Sequence, residues 1–195
     1  MKKFSRALIK GSFNPFHHGH LELLKTAKEL SEKTDIYIGD KFRPCSLPRQ
    51  IRTETVNANI KSNKWEKYFN VISTGKHSDL NPIDYNLYIT GSDLLNILTK
   101  TISSKGIKIS QKYKDFYLAF PNILIINRPN MPLEQKAKKT LEQHTNTFYQ
   151  TGNIKTSGLA IRQAYQEGKE IKRMVPKATW EIIRNHTYLF KQGLS

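Results

Sequence analysis

The stretch Gly11-Ser12-Phe13-Asn14-Pro15-Phe16-His17-His18-Gly19-His20-Leu21 decides the fold, because it joins a short apolar strand to a helix. Residues 5–9 before it are predicted to be a strand. Leu21, Leu24 and Ala27 recur at helical spacing after it. Glycine, asparagine and proline between the two elements indicate a turn. In an open α/β sheet, ligands bind beyond the carboxyl ends of strands, so this turn is the first place to look for a site.

The residues of the turn suit a phosphate group. Gly11 and Ser12 let the backbone approach a ligand and offer N–H groups, and Gly19 allows a phosphate to come close. The start of the following helix adds unpaired N–H groups and the positive end of the helix dipole. His17 and His20 are three residues apart, so at a helix start they share a face and can donate to phosphate oxygens.

The histidines at positions 17, 18 and 20 have two other interpretations, a metal site or a polar turn without function. No further type of metal ligand is grouped nearby, and the single cysteine, Cys45, adds none. The order Gly-x-Phe-Asn-Pro-x-His-x-Gly-His after a strand is more constrained than a glycine-rich turn alone. The phosphate interpretation is therefore favoured, and no protein-held metal is predicted.

Strands and helices alternate along the rest of the chain. Further strands are predicted at 36–38, 68–73, 86–90 and 122–127, and helices at 48–61, 93–102, 133–143, 158–167 and 176–186. This order predicts an α/β fold, a Rossmann-like open parallel sheet with helices on both faces and a helical C-terminal region. Residues 103–118 are interpreted as a basic surface insertion. We expect one domain over residues 1–195.

The charge balance is strongly basic. The 195 residues include 32 Lys and Arg against 16 Asp and Glu, a net charge of +16. Such a surplus attracts nucleic acid, nucleotides or anionic lipid, but a lysine-biased solvated surface gives the same number. Apolar runs are too short to cross a bilayer, and Arg6 and Lys10 interrupt what would be the core of a signal peptide. A cytoplasmic protein without membrane contact is expected.

The turn resembles the G-x-F-[DN]-P-x-H-x-G-H signature of the nucleotidyltransferase superfamily. Within it, the chain is most similar to nicotinate/nicotinamide mononucleotide adenylyltransferases. Further segments match in the family's order: ITGSDLL at 89–95, INRPN at 126–130 and SGLAIR at 157–162. The similarity runs over nearly the whole chain, with 103–118 unmatched.

The resemblance implies transfer of AMP from ATP to nicotinate or nicotinamide mononucleotide, with pyrophosphate as the second product. It makes His17 and His20 the catalytic residues and Mg²⁺ the ion that accompanies ATP. The implied ATP and phosphate contacts are Gly11, Ser12, Phe13, Gly19, Gly91, Asp93, Ser157 and Arg162. The implied mononucleotide contacts are Asn14, Arg52 and Arg128. Partners are then small nucleotides and not nucleic acid, and the resemblance leaves a homo-oligomer open.

Some of these residues also have a structural interpretation. Asp93, just beyond a strand, suits ribose hydroxyls, but it also suits the cap of the next helix. Ser157 and Arg162 are suited to bind a second phosphate group. Alternatively, Ser157 caps the helix and Arg162 is solvated.

The chain departs from the family pattern in two places. Gly158 and Leu159 stand where the family has Ser and Thr, which removes two hydroxyls from the predicted phosphate grip. The tryptophan that stacks on the pyridine ring in the family has no counterpart after Asp93. Tyr113, Phe116 and Tyr117 lie farther on, and they either supply a stacking face or pack in the core.

Two rival functions remain. Pantetheine-phosphate adenylyltransferases and cytidylyltransferases share the first motif and differ in the acceptor or the nucleotide. A basic nucleic-acid-binding module without catalysis would account for the charge and for the altered Ser-Gly-Leu segment at 157–159.

Overall fold

A computed structural model describes residues 3–39, 46–75, 79–100, 110–127, 132–152 and 156–190, with Asp93 and Ile97 described by their backbone alone. The strands in this part of the chain are β1 (Phe4–Gly11), β2 (Ser31–Ile38), β3 (Phe69–Ile72), β4 (Leu87–Gly91), β5 (Asn122–Asn127) and β6 (Asn146–Thr151). The α-helices are α1 (His18–Leu30), α2 (Arg49–Ser62), α3 (Ser92–Leu95), α4 (Gln111–Leu118), α5 (Gln135–Glu142), α6 (Gly158–Gln166) and α7 (Lys177–Ile183). Short 3₁₀ helices occupy Pro82–Asp84, Asn96–Thr99, Lys172–Met174 and Thr187–Phe190.

The strands form one parallel sheet in the order β3-β2-β1-β4-β5-β6. The central strands are short apolar runs that are buried on both faces, such as Ala7-Leu8-Ile9 in β1, as expected for a parallel sheet. Ile9 pairs with Ile36 on one side and Ile89 on the other. The strand order reverses between β1 and β4, and such a point is where open sheets bind ligands. The predicted fold class is confirmed.

Each face of the sheet carries its own core. On one face, α1 and α2 pack through residues such as Leu24 and Val56. On the other, α4 and α5 pack through residues such as Tyr117 and Leu141. A third cluster joins α6 and α7 to the segment before α2. The side chain of Asn59 in α2 donates to Thr179 in α7 at 2.8 Å, which attaches the C-terminal helices to the sheet domain.

Two elements differ from the sequence predictions. The interpretation of 103–118 as a surface insertion is wrong for 111–118, which form α4 with Tyr117 fully buried in the core. The spacing of Tyr113, Phe116, Tyr117 and Phe120 is helical and could have revealed it. The edge strand β6 was not predicted, because Asn146–Thr151 are mostly polar and partly exposed.

The predicted helix 93–102 is shorter in the structure and is split into α3 and a 3₁₀ turn. Arg128 and Cys45 lie outside the described residues. Across the described ranges, none of the helices combines the length and apolar character needed to cross a bilayer.

Candidate nucleotide-binding site

The loop after β1 is compact and strained. Phe13 is buried and has a φ of 48°, in the left-handed region that costs a non-glycine residue free energy. Its ring lies against Gly11, where an added Cβ would sit 3.1 Å from two ring carbons. A larger residue at position 11 would therefore have to displace the Phe13 ring by a few tenths of an ångström. Other residues must hold this conformation in place.

Arg52 in α2 is one of the residues that hold the loop. Its Nη1 donates to the carbonyl of Ser12 at 2.7 Å and to that of Gly39 at 2.9 Å, and its Nε donates to Leu47 at 3.0 Å. The guanidinium thus joins the ends of β1 and β2 to the start of α2. Arg52 is 4% exposed. The structure places this predicted mononucleotide contact beneath the loop, against backbone oxygens.

Asn14 also ties the loop to the segment before α2. Its Oδ1 accepts from the Leu47 amide at 3.0 Å, and its Nδ2 donates to Ser46 Oγ at 2.9 Å. The residue is buried. Its side chain therefore fixes the loop after β1 to the segment before α2.

Helix α6 contacts the backbone of Asn14. Arg162 Nη1 donates to the Asn14 carbonyl, and Arg162 is buried. At Gly158, an added Cβ would lie 2.5 Å from that same oxygen. Gly158, where the resemblance implies a serine, is thus the residue that lets α6 approach the loop. Ser157 caps α6, with its Oγ accepting from the Ala160 amide at 3.1 Å.

His17 and His20 lie together at the start of α1. His17 is the N-cap, and its Nδ1 accepts from the Gly19 amide at 3.1 Å. His20 Nδ1 accepts from the His17 amide at 3.2 Å. The two rings stack with centroids 3.8 Å apart. Since each Nδ1 accepts a backbone proton, both neutral rings carry their own proton on Nε2. Each ring therefore has its donor at Nε2, which is the form that can bind phosphate oxygens.

The end of β4 lies beside this loop, because Ile9 of β1 pairs with Ile89 of β4. Gly91 caps α3, and the buried Ser92 begins it. The backbone of Asp93 is in α3. Gly91 and Asp93, both predicted site residues, therefore lie at the end of β4, next to β1, where the strand order reverses. The structure thus brings together, through backbone or side-chain contacts, Gly11, Ser12, Phe13, Asn14, His17, Gly19, His20, Arg52, Ser157 and Arg162. Gly91 and Asp93 lie one strand away.

A cavity of about 530 Å³ between α4 and residues 80–82 was not found from the sequence. Tyr113 and Phe116 line it, while Tyr117 is fully buried behind them. Tyr113 and Phe116 thus have rings at the cavity, where they could stack on a ligand, whereas Tyr117 packs in the core. Lys10, the last residue of β1 before Gly11, lies among them, with Nζ 4.9 Å from the Tyr113 ring centroid. Lysine at a strand end gives no signal in sequence beyond its charge.

Groups of three or more His, Cys, Asp or Glu that could hold a metal ion do not occur among the described residues.

Burial raises the pKa of the Tyr117 hydroxyl well above its ordinary value, and the neighbouring tyrosines add to the rise. That hydroxyl therefore stays protonated over the physiological range.

Comparison with known proteins gives a family and several relatives. The family described as cytidylyltransferase-like matches residues 8–157. A Clostridium tetani (strain Massachusetts / E88) protein named "Probable nicotinate-nucleotide adenylyltransferase" is 25% identical over 208 residues, covering 95% of this chain and 98% of that protein.

Two solved structures share the fold. The Plasmodium falciparum nicotinic acid mononucleotide adenylyltransferase complexed with APC has a TM-score of 0.68 at 15% identity, covering 98% of this chain and 100% of that one. The same enzyme complexed with NaAD has a TM-score of 0.67 at 16% identity, covering 100% of both chains.

Proposed function

Because the chain belongs to the cytidylyltransferase-like family, we propose that it transfers AMP from ATP to nicotinate mononucleotide, forming deamido-NAD and pyrophosphate. Nicotinamide mononucleotide is the alternative acceptor. The name of the Clostridium tetani relative supports this reaction, since the match covers nearly the full length of both chains. The resemblance drawn from residues 11–20 agrees at the level of the family.

The observation that carries the proposal is the stacked pair His17 and His20 at the N-terminus of α1. Each has its Nδ1 engaged by a backbone amide and its proton on Nε2. In the proposed reaction, a phosphate oxygen of the mononucleotide attacks the α-phosphorus of ATP in line, and pyrophosphate leaves. The Nε2–H groups donate to the phosphate oxygens as negative charge builds. Positioning and charge stabilisation account for catalysis, and no protein nucleophile is needed.

The loop around the histidines forms the cradle in this proposal. Backbone groups of Gly11, Ser12, Phe13 and Gly19 line it, and the dipole of α1 favours the phosphate charge. Arg52, Asn14 and Arg162 keep the cradle in shape through their contacts with loop atoms. Arg162 and Ser157 are also assigned to the outer phosphates.

The adenosine is assigned to the end of β4, where Gly91 and Asp93 lie. The pyridine ring of the acceptor is assigned to the cavity between α4 and residues 80–82, where Tyr113 and Phe116 offer aromatic faces. Arg128 remains a predicted contact of the mononucleotide.

We further propose that Mg²⁺ would come to the site with ATP, where it would offset the negative charge of the phosphates. We also propose that the whole chain is one domain, since α6 contacts the loop after β1 and α7 packs on α2.

We propose a cytoplasmic location for the protein.

The test is release of pyrophosphate from ATP with Mg²⁺, with each pyridine mononucleotide supplied as acceptor. Parallel reactions contain CTP instead of ATP, or pantetheine phosphate as acceptor. We expect release with ATP and a pyridine mononucleotide, and formation of the matching dinucleotide. Turnover with CTP or pantetheine phosphate alone would assign the rival chemistry. No turnover with any pair, together with salt-sensitive binding of RNA or DNA, would favour the non-catalytic module.

A further inference from the structure

Lys10 has no role in the reaction proposed above. It ends the apolar run of β1 directly before Gly11, and its side chain is on the face covered by α4. Its Nζ lies 4.9, 5.3 and 5.4 Å from the ring centroids of Tyr113, Phe116 and Tyr117. The faces of these rings attract the ammonium through cation–π interactions.

A directed hydrogen-bond chain leads from this ammonium to the cavity. Lys10 Nζ donates to the Tyr117 hydroxyl at 3.2 Å, and Tyr117 donates to the Tyr113 hydroxyl at 2.9 Å. An ammonium can only donate, so the chain begins at Lys10, and the Tyr117 hydroxyl donates onward to Tyr113. Tyr113 accepts from Tyr117 and therefore directs its own proton away from it. Each bond in such a chain polarises the next, which makes Tyr113 a stronger donor.

Tyr113 is also a wall of the cavity assigned to the pyridine ring. Asp115 and Lys112 lie on the same wall, and Asp115 is exposed and accepts from Gln111 at 2.7 Å. The opposite charges of Asp115 and Lys112 offset each other in solvent. The charge that acts from inside the aromatic cluster is the ammonium of Lys10.

We propose that Lys10, acting through Tyr117 and Tyr113, selects an acceptor that carries a carboxylate on its ring over one that carries a carboxamide. This inference rests on the proposed function and assigns acceptor preference within it. A carboxylate gains from both a cation in a region of low dielectric and a polarised O–H donor. A carboxamide gains only the hydrogen bond. Lys10 and Tyr113 are therefore specificity-determining residues for nicotinate over nicotinamide mononucleotide.

The test compares kcat/KM for the two mononucleotides in the wild type, Lys10→Met and Lys114→Met. Lys114 is next to Tyr113 on α4 but does not line the cavity, so its variant makes the same charge change as a matched control. We expect the wild type and Lys114→Met to prefer nicotinate mononucleotide. In Lys10→Met the preference should fall at least about tenfold, or about 1.4 kcal/mol.

Because the ratio is taken within one variant, a general loss of folded enzyme lowers both values and leaves the ratio unchanged. Should Lys10→Met fail to fold, Tyr113→Phe keeps the lysine and removes the last donor, and its ratio should fall as well. An unchanged ratio in these variants, or a wild type that prefers nicotinamide mononucleotide, overturns the inference and leaves the proposed function standing. A wild type inactive with both acceptors overturns the proposed function and this inference together.

Discussion

Arg162 donates a hydrogen bond to the backbone carbonyl of Asn14, although the two residues are 148 positions apart in the chain. Both are buried, and Gly158 on the same helix lies against the same carbonyl. The C-terminal helix α6 is thereby part of the framework of the loop that follows the first strand. Residues that the sequence suggests for substrate contact also stabilise the loop that would make that contact.

We predict that Arg162→Met lowers stability in the absence of any nucleotide. Removing the guanidinium leaves the buried Asn14 carbonyl without this donor, a loss of about 1–3 kcal/mol in the free energy of unfolding. Urea denaturation of the nucleotide-free protein measures it. Arg184 is exposed, so Arg184→Met is the matched control and should change stability little. Equal stability of Arg162→Met and wild type would restrict Arg162 to phosphate contact.

We predict that Gly158→Ser, which introduces the serine that the resemblance implies at this position, lowers the melting temperature. A Cβ at this position meets the Asn14 carbonyl at 2.5 Å, so α6 or the loop must shift. Leu159→Thr restores the other lost hydroxyl at a side chain that is 57% exposed, and it should leave the melting temperature nearly unchanged. Thermal denaturation of the two variants decides the matter. A Gly158→Ser protein as stable as wild type would contradict the close approach.

We predict that Arg52→Lys is destabilising although the charge is kept. One lysine ammonium cannot reproduce the fork that reaches the carbonyls of Ser12, Gly39 and Leu47. The free energy of unfolding should fall by about 2 kcal/mol or more. Lys61→Arg, at the end of the same helix on an exposed side chain, serves as the comparison. Wild-type stability for Arg52→Lys would mean that a positive charge at position 52 is enough to hold the loop, without the three hydrogen bonds.

We predict that His20→Asn lowers kcat by orders of magnitude with the fold intact. The amide oxygen of asparagine can still accept from the His17 amide, as Nδ1 does, but the Nε2–H donor is lost. His18, two residues before His20, is exposed, so His18→Asn should retain activity. Steady-state kinetics and circular dichroism are measured on both variants. Near-normal turnover in His20→Asn would remove His20 from the catalytic role.

We predict an alkaline loss of stability that depends on Tyr85. Burial, and then the charge of Asp35 and the hydrogen bond to it, raise the pKa of Tyr85 from 10.0 to about 12. The folded protein thus keeps a proton that the unfolded chain releases. This contribution to stability is complete below pH 10 and is lost as pH rises through about 12. The free energy of unfolding between pH 9 and 11 should therefore fall less steeply in Tyr85→Phe, and identical slopes would contradict the shift.

The sequence was sufficient where the pattern is local. The apolar run before Gly11 and the helical spacing after it placed β1, α1 and the loop between them. The alternation of strands and helices then predicted the parallel sheet. The edge strand β6 was missed because an exposed edge needs no apolar alternation. Helix α4 was missed because its lysines were weighed above its aromatic spacing.

By itself, the sequence determined the fold class, and it predicted a phosphate site at the loop and the two histidines, because these patterns lie in residues close together in the chain. Only the tertiary structure decided what Arg52, Arg162 and Gly158 contact, since their partners are Ser12 and Asn14. It also placed Lys10 among the rings of α4. Hydrogen bonds and close approaches of this kind join segments far apart in sequence, and their formation depends on the packing of the whole sheet.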